Sequence, residues 1–211
     1  MSSPNLNSVH LNGVHYTQTV TPPARTRGHS ADDVARTALR ILDDDGLADL
    51  TMRRLAARLD VQPSALYWHF ANKQSLLAEL SDRIVGQAAS LVHGAGVGAE
   101  ARALRDALLA YRDGAEVVSS TLALGLGSSA ALDRLTAAVA AEGFAPEVAA
   151  RAATTLLHFV LGFVWHEQQR LQYDSVGVVA PGAGHVPDAD FAFGVDLIHR
   201  GLHATADARP A

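Results

Sequence analysis

The sequence predicts an all-α protein, on three observations. Apolar residues recur at three- and four-residue spacing from Ser30 to about Ala204, no stretch alternates with the two-residue period of a strand, and good helix caps stand at the breaks between periodic segments. The breaks divide the chain into a small N-terminal helical domain and a larger C-terminal helical core. At 211 residues, 48% of them apolar and 18% charged, there is ample material for both.

Residues 1–29 are rich in Ser, Asn, Thr, Pro and Gly and carry no period, so they read as a flexible arm. Ser30 then caps a helix with Asp32 and Asp33 in its first turn and Val34, Ala38, Ile41 and Leu42 along one face; Gly46 stops it. Thr51 caps the next, turning Met52, Leu55, Ala56 and Leu59 inward and Arg53, Arg54 and Arg58 outward. Asp60-Val61-Gln62 is a tight turn, and Pro63 suits the first turn of a short helix reaching about Phe70. Asn72 caps a fourth helix with the apolar line Leu76, Leu77, Leu80, Ile84 and Ala88, and glycines between 94 and 98 end it. Further helices are expected over about Glu100–Arg112, a shorter stretch near Ala115, about Ser129–Glu142, Pro146 to about Gln172, and about Asp190–Ala204, with a loop over 173–189. The helix from Pro146 carries Val148, Ala152, Leu156, Phe159, Val160, Phe163 and Val164, a face broad enough to be buried on more than one side.

Composition narrows the function. The absence of cysteine excludes a disulfide scaffold, a thiolate zinc site and a cysteine nucleophile. Apolar runs fall short of the ~20 residues that cross a bilayer, and residues 1–20 lack the basic start and apolar block of a signal peptide. A cytoplasmic protein with no membrane partner is expected. The net charge of −5 is uneven: residues 1–75 balance at +1 and residues 76–211 at −6. Within 51–75, Arg53, Arg54, Arg58 and Lys73 face Asp60 alone, and a nucleic-acid footprint depends on such a patch rather than on the overall charge.

Helix, three-residue turn and short helix over 51–70 is the geometry of a helix-turn-helix, whose second helix enters the major groove. Leu55, Ala56 and Leu59 supply one inward seam, Val61 and Leu66 the other, and small Ala56 allows a close crossing. The outer side of the second helix offers Gln62, Ser64, Ala65, Tyr67, Trp68 and His69. Tyrosine and histidine can hydrogen-bond phosphates while their rings pack on sugars and thymine methyls.

The stretch Leu50-Thr51-Met52-Arg53-Arg54-Leu55-Ala56 through Leu66-Tyr67-Trp68-His69-Phe70 and Asn72-Lys73 resembles the DNA-binding domain of the TetR family of one-component repressors. Tyr111-Arg112-Asp113-Gly114-Ala115-Glu116-Val117, Glu142-Gly143-Phe144, His158-Phe159 with Leu161-Gly162, and Phe193-Gly194 with Gly201-Leu202 extend the resemblance over residues 30–204. It implies a helix-turn-helix domain at 30–75 and a ligand-binding and dimerisation domain at 76–211. It also implies a homodimer on a pseudo-palindromic operator, joined through the helix from Pro146 and the final helix. Thr51, Tyr67, His69 and Lys73 would then contact phosphates and Arg53 a guanine edge, with Arg54 and Arg58 as electrostatic candidates. Pro63, Ser64 and Ala65 depart from the tetracycline-binding members, which implies a different operator.

The inducer pocket departs further. Val118 and Leu135 stand at positions where tetracycline-binding members carry a metal-binding histidine and a glutamine ligand, and His166 stands where they carry an acidic partner. Only His158 and Thr121 are retained. The implied pocket is apolar, lined by Leu104, Val118, Leu122, Leu135, Phe159 and Phe163, with His158, Thr121 and His166 as orienting polar groups. Its ligand would be a hydrophobic small molecule rather than a magnesium chelate, with no metal or cofactor required. That ligand would move the helix from Lys73 to about His93, which joins pocket to head, and so shift the dimer away from its DNA-bound form.

Two other classes remain open at this point: a helical hydrolase using His158, His166 and Glu167, and a helical adaptor that binds protein through the 60–70 surface. Trp165 suits either the core or a dimer interface. His199 and His203 are spaced to share a metal, but His199-Arg200-Gly201-Leu202-His203 lacks the glutamate of a zinc hydrolase, and both read as surface histidines.

Overall fold

Ser30 opens the first helix as expected, and does so reciprocally. Its hydroxyl accepts from Asp33 N at 3.1 Å while its own N–H donates to the Asp33 carboxylate at 2.9 Å, a capping box at the start of α1 (Ala31–Asp45). Hydrogen bonds from the Ser30 hydroxyl and backbone, reinforced by Arg36, lower the Asp33 carboxyl from 3.8 to about 2. A depressed folded-state value contributes stability that is present above pH 4 and is lost as pH falls through about 2. Ser30→Ala should therefore lower the urea midpoint at pH 7, and the gap from wild type should close toward pH 2. A gap that is the same at both ends would show that the cap does not act through this carboxylate.

The computed structural model describes residues 29–92, 95–127, 129–175, 177 and 187–207. The arm expected over 1–29 lies outside them except for His29, as does most of the loop expected over 173–189. The described helices after α1 are α2 (Met52–Arg58), α3 (Pro63–Leu66), α4 (Lys73–Leu91), α5 (Val97–Leu109), α6 (Gly114–Ala123), α7 (Ala130–Ala140), α8 (Pro146–Ser175) and α9 (Pro187–Asp207). No strand occurs among the described residues. The fold is all-α.

Capping explains the boundaries. Gly46 ends α1 at φ 88°, Thr51 caps α2 by accepting from Arg54 N, and Asn72 makes a second capping box with Ser75 at α4. Asp60, in the α2–α3 turn, takes φ 53°, a left-handed conformation that aspartate tolerates better than most residues. The short helix stops at Leu66 rather than near Phe70, because Tyr67, Trp68 and His69 form a turn. The stretch near Ala115 extends to Ala123, and α9 is longer at both ends than its apolar line predicts.

Head and core share one apolar cluster. Val34, Ile41, Leu42, Leu55 and Leu66 of the head are continuous with Leu104, Leu108, Leu135, Leu156 and Phe191 of the core. α4 bridges them, burying Leu76, Leu80, Ile84 and Val85. At 30 residues and mean hydropathy 1.5 over its most apolar window, α8 is long and apolar enough to cross a membrane. Its packing gives the reason for that composition: it lies against α5, α6, α7 and α9 and buries Glu167 and Gln168 along with its apolar stripe.

Candidate functional site

Ala56, 1% exposed, lets the two head helices approach, and Val61 N–H donates to the Ala56 carbonyl at 3.0 Å. Leu66 and Phe70 anchor the second helix and its turn in the core, and that anchoring drives the residues between them outward. Tyr67 is 52% and Trp68 89% exposed; His69, Gln62, Ser64, Arg53 and Thr51 are also exposed, while Ala65 and Lys73 are partly so. Arg53, Tyr67, His69 and Lys73 have no side-chain partner among the described residues. Two aromatic rings held out by buried neighbours, beside unpaired cations, form a surface that remains to be covered. Arg54 differs from the sequence expectation. Its guanidinium pairs with Asp45 and Asp49, each at 2.7 Å, so it braces α2 against the end of α1 rather than presenting a free charge. Arg58 likewise faces Asp44 at 3.4 Å.

The core brings most of the expected pocket residues together. Leu104, Val118, Thr121 and Leu135 are buried, and Leu122, Phe159 and Phe163 pack against the same cluster. His158 and His166 do not join them: both lie exposed on α8, on the side opposite its buried stripe. The core stripe runs through Leu156, Leu157, Val160, Leu161 and Val164, so 158 and 166 fall off it by helical geometry. The Thr121 hydroxyl is directed to carbonyls of its own helix, Val117 at 3.1 Å and Val118 at 2.9 Å, rather than into a cavity. The space between Leu104 and Leu135 is closed to about 10 Å³. Phe159, Phe163 and Phe191 fill the neighbouring volume, with ring centroids 5.3–5.7 Å apart.

Polar residues that periodicity alone does not single out organise this core. Arg105 forms a forked pair with Glu167 at 2.7 and 3.0 Å, reaches Asp188 of α9 at 2.7 Å, and lies 5.2 Å from the Phe191 ring centroid. Burial works to lower the Arg105 guanidinium, but the hydrogen bonds it donates to the Glu167 and Asp188 carboxylates, with their charges, outweigh it and hold it above its usual value. Glu167 is thus committed to Arg105 while His158 and His166 face outward, which removes the hydrolase constellation. Gln168 donates to the carbonyls of Leu108 and Tyr111 and accepts from Ala115 N, closing the α5–α6 corner. The available signal was position: Glu167 and Gln168 continue the buried stripe three and four residues after Val164.

Asp113 sits at that corner, at φ 56°. One carboxylate oxygen accepts from Leu47 N of the head at 2.8 Å and the other from Gln172 of α8 at 2.5 Å. Gln87 of α4 donates to the Tyr111 hydroxyl at 2.6 Å. Head, connecting helix and core therefore meet at one polar junction, next to a cavity of about 280 Å³ lined by Tyr111, Asp113, Gln168 and Leu171.

The sequence profile of bacterial regulatory proteins of the tetR family matches residues 35–80, and that of the tetracyclin repressor-like C-terminal domain matches 95–178. The chain is 44% identical to the solved structure of BioQ from Mycobacterium smegmatis, with TM-score 0.74, over 83% of this chain and 98% of that one. The chain belongs to the TetR family. A BioQ solved with its natural double-stranded DNA operator is 41% identical, with TM-score 0.70, over 82% of this chain and 98% of that one. The class A tetracycline repressor from Escherichia coli is 37% identical over 144 residues, which span 64% of this chain and 65% of that repressor. This TetR-family chain is accordingly a regulator of transcription with an N-terminal DNA-binding domain, not an enzyme.

Proposed function

We propose that this TetR-family protein is a ligand-responsive repressor that binds a pseudo-palindromic DNA operator as a homodimer and is released by a hydrophobic small molecule other than magnesium-tetracycline. The observation that carries this reading is the set Arg53, Tyr67, His69 and Lys73 on and beside the helix-turn-helix, without side-chain partners among the described residues, with Trp68 almost fully exposed. Thr51, Tyr67, His69 and Lys73 hold phosphates, Arg53 reads a guanine edge, and Gln62, Ser64, Ala65 and Trp68 face the groove. The operator-bound BioQ supports this use of the surface. The head spans 30–75 and the core 76–211, with α4 serving both.

Dimerisation through α8 and α9 accounts for exposed apolar residues on these two helices. Trp165 is 47% exposed, and Phe193 and Leu197 of α9 are 68% and 61% exposed, facing away from the chain's own core. The apolar core around Leu104, Val118, Leu122, Leu135, Phe159 and Phe163 takes the inducer by displacing the phenylalanine cluster, since the space between Leu104 and Leu135 is closed in this conformation. The corner at Asp113 transmits that displacement to Leu47 and the head. The protein acts where the DNA is, in the bacterial cytoplasm.

Fluorescence anisotropy with the DNA flanking the protein's own gene tests the reading. Wild type should bind tightly, with affinity falling steeply between two salt concentrations. Arg53→Ala/Tyr67→Ala should weaken binding by about 100-fold, the loss of one base contact and one phosphate contact. Equal, weak, sequence-indifferent binding by both proteins would overturn it.

A further inference from the structure

We propose that Glu142, His199 and His203 form a binding site for a divalent transition ion of the zinc class, which ties the end of α7 to α9. The two histidines lie one turn apart on α9, and the carboxylate comes from beyond the last residue of α7, 57 residues earlier in the chain. Both imidazole Nε2 atoms point at the same Glu142 Oε2, at 2.6 Å from His199 and 3.0 Å from His203, and the three ligand atoms all lie within 4.8 Å of one another.

The arrangement meets what such an ion asks of a protein. Zinc binds imidazole nitrogen and carboxylate oxygen at roughly 2.0–2.2 Å, which in tetrahedral geometry separates ligand atoms by about 3.3 Å. Reaching that spacing opens the nitrogen–oxygen distance by about 0.7 Å at His199 and about 0.3 Å at His203, and sets the two Nε2 atoms, now within 4.8 Å, at the same separation. Each imidazole gives the ion its Nε2 lone pair as a neutral ring with its proton on Nδ1, so a ring that carries the proton on Nε2 moves it to Nδ1 on binding. The His199 and His203 rings stand edge to face at 4.8 Å, and Phe144 meets His203 edge-on at 4.9 Å, which holds both rings in orientation. Glu142, His199 and His203 are all partly solvent-accessible, at 23%, 32% and 48%, so the fourth position opens to water. Two imidazoles and one carboxylate favour zinc, nickel or copper over magnesium and calcium, which prefer oxygen donors.

The test uses the tag-free, full-length protein, with zinc(II) alone competed against a chromogenic chelator. Wild type should take up one equivalent per chain and melt at a higher temperature in zinc, whereas magnesium should change neither. His199→Ala, His203→Ala and Glu142→Gln should each weaken zinc binding by at least the roughly 10–100-fold that the loss of an outer-shell partner costs. His158→Ala/His166→Ala, which changes exposed histidines elsewhere, should bind zinc as wild type does. His203→Gln serves if an alanine variant fails to fold. Ring resonances of the wild type provide a readout free of mutation, since those of His199 and His203 should shift on zinc addition ahead of other histidines. Unchanged affinity in the variants, no wild-type uptake, or shifts confined to other histidines would overturn the site and leave Glu142 as a hydrogen-bonded latch.

Discussion

Glu167→Ala should destabilise the protein by about 3 kcal/mol, the lower end of what breaking a buried ion pair costs. The reason is the partner left behind. Arg105 is 7% exposed, and both arms of its guanidinium fork engage the Glu167 carboxylate. Without that carboxylate a charge remains inside α5 with only Asp188, itself in contact with water, to compensate it. The retained Asp188 contact and water entering the vacated space are why the lower end is expected. Guanidinium unfolding at fixed protein concentration measures the loss. Arg105→Met/Glu167→Leu should recover much of it, because a well-packed apolar pair of similar volume avoids the desolvation altogether. A single variant within about 1 kcal/mol of wild type would show that the pair contributes little.

Gln168→Leu should cost a similar amount, about 3 kcal/mol, by a different route. Leucine matches glutamine in size but takes the side-chain partner from the Leu108 carbonyl and the Ala115 N–H, while the Tyr111 carbonyl keeps the Gly114 N–H at 3.1 Å. Each buried group without a partner costs roughly 1–3 kcal/mol, moderated where water can reach it. The defect is local, so hydrogen exchange at the Ala115 amide should accelerate by about 100-fold, while amides in α1 and α2 slow or quicken far less. The corner is tight at this point, since a Cβ at Gly114 would lie 2.4 Å from the Leu108 carbonyl oxygen. An Ala115 amide that exchanges as slowly as in wild type would show that Gln168 does not hold the corner.

These two side chains illustrate which parts of the site were legible. The head could be read residue by residue because its information is local: caps at Ser30, Thr51 and Asn72, a left-handed turn at Asp60, and buried Leu66 and Phe70 flanking outward Tyr67, Trp68 and His69. The core was legible as an apolar set but not as a cavity. Periodicity shows that Leu104, Val118 and Leu135 turn inward without showing whether they enclose space or fill it. The resemblance sets His158 and His166 beside that core, but the buried stripe of α8 leaves both of them exposed. Arg54 is an outward cation by periodicity, yet it pairs with Asp45 and Asp49, whose approach depends on how α2 folds back on α1.

By itself the sequence determined that the protein is all-α, where most of its helices begin, which face of each is buried and which residues stand outward on the helix-turn-helix. These properties follow from backbone capping and from the 3.6-residue period, both of which act within a few residues. Only the tertiary structure decided that Arg105 meets Glu167, that Asp113 joins Leu47 to Gln172, and that Glu142 lies against His199 and His203. Those partners are 57–66 residues apart. Charge and hydrogen-bonding chemistry make each contact favourable once formed, but only the packing of the helices brings the groups together.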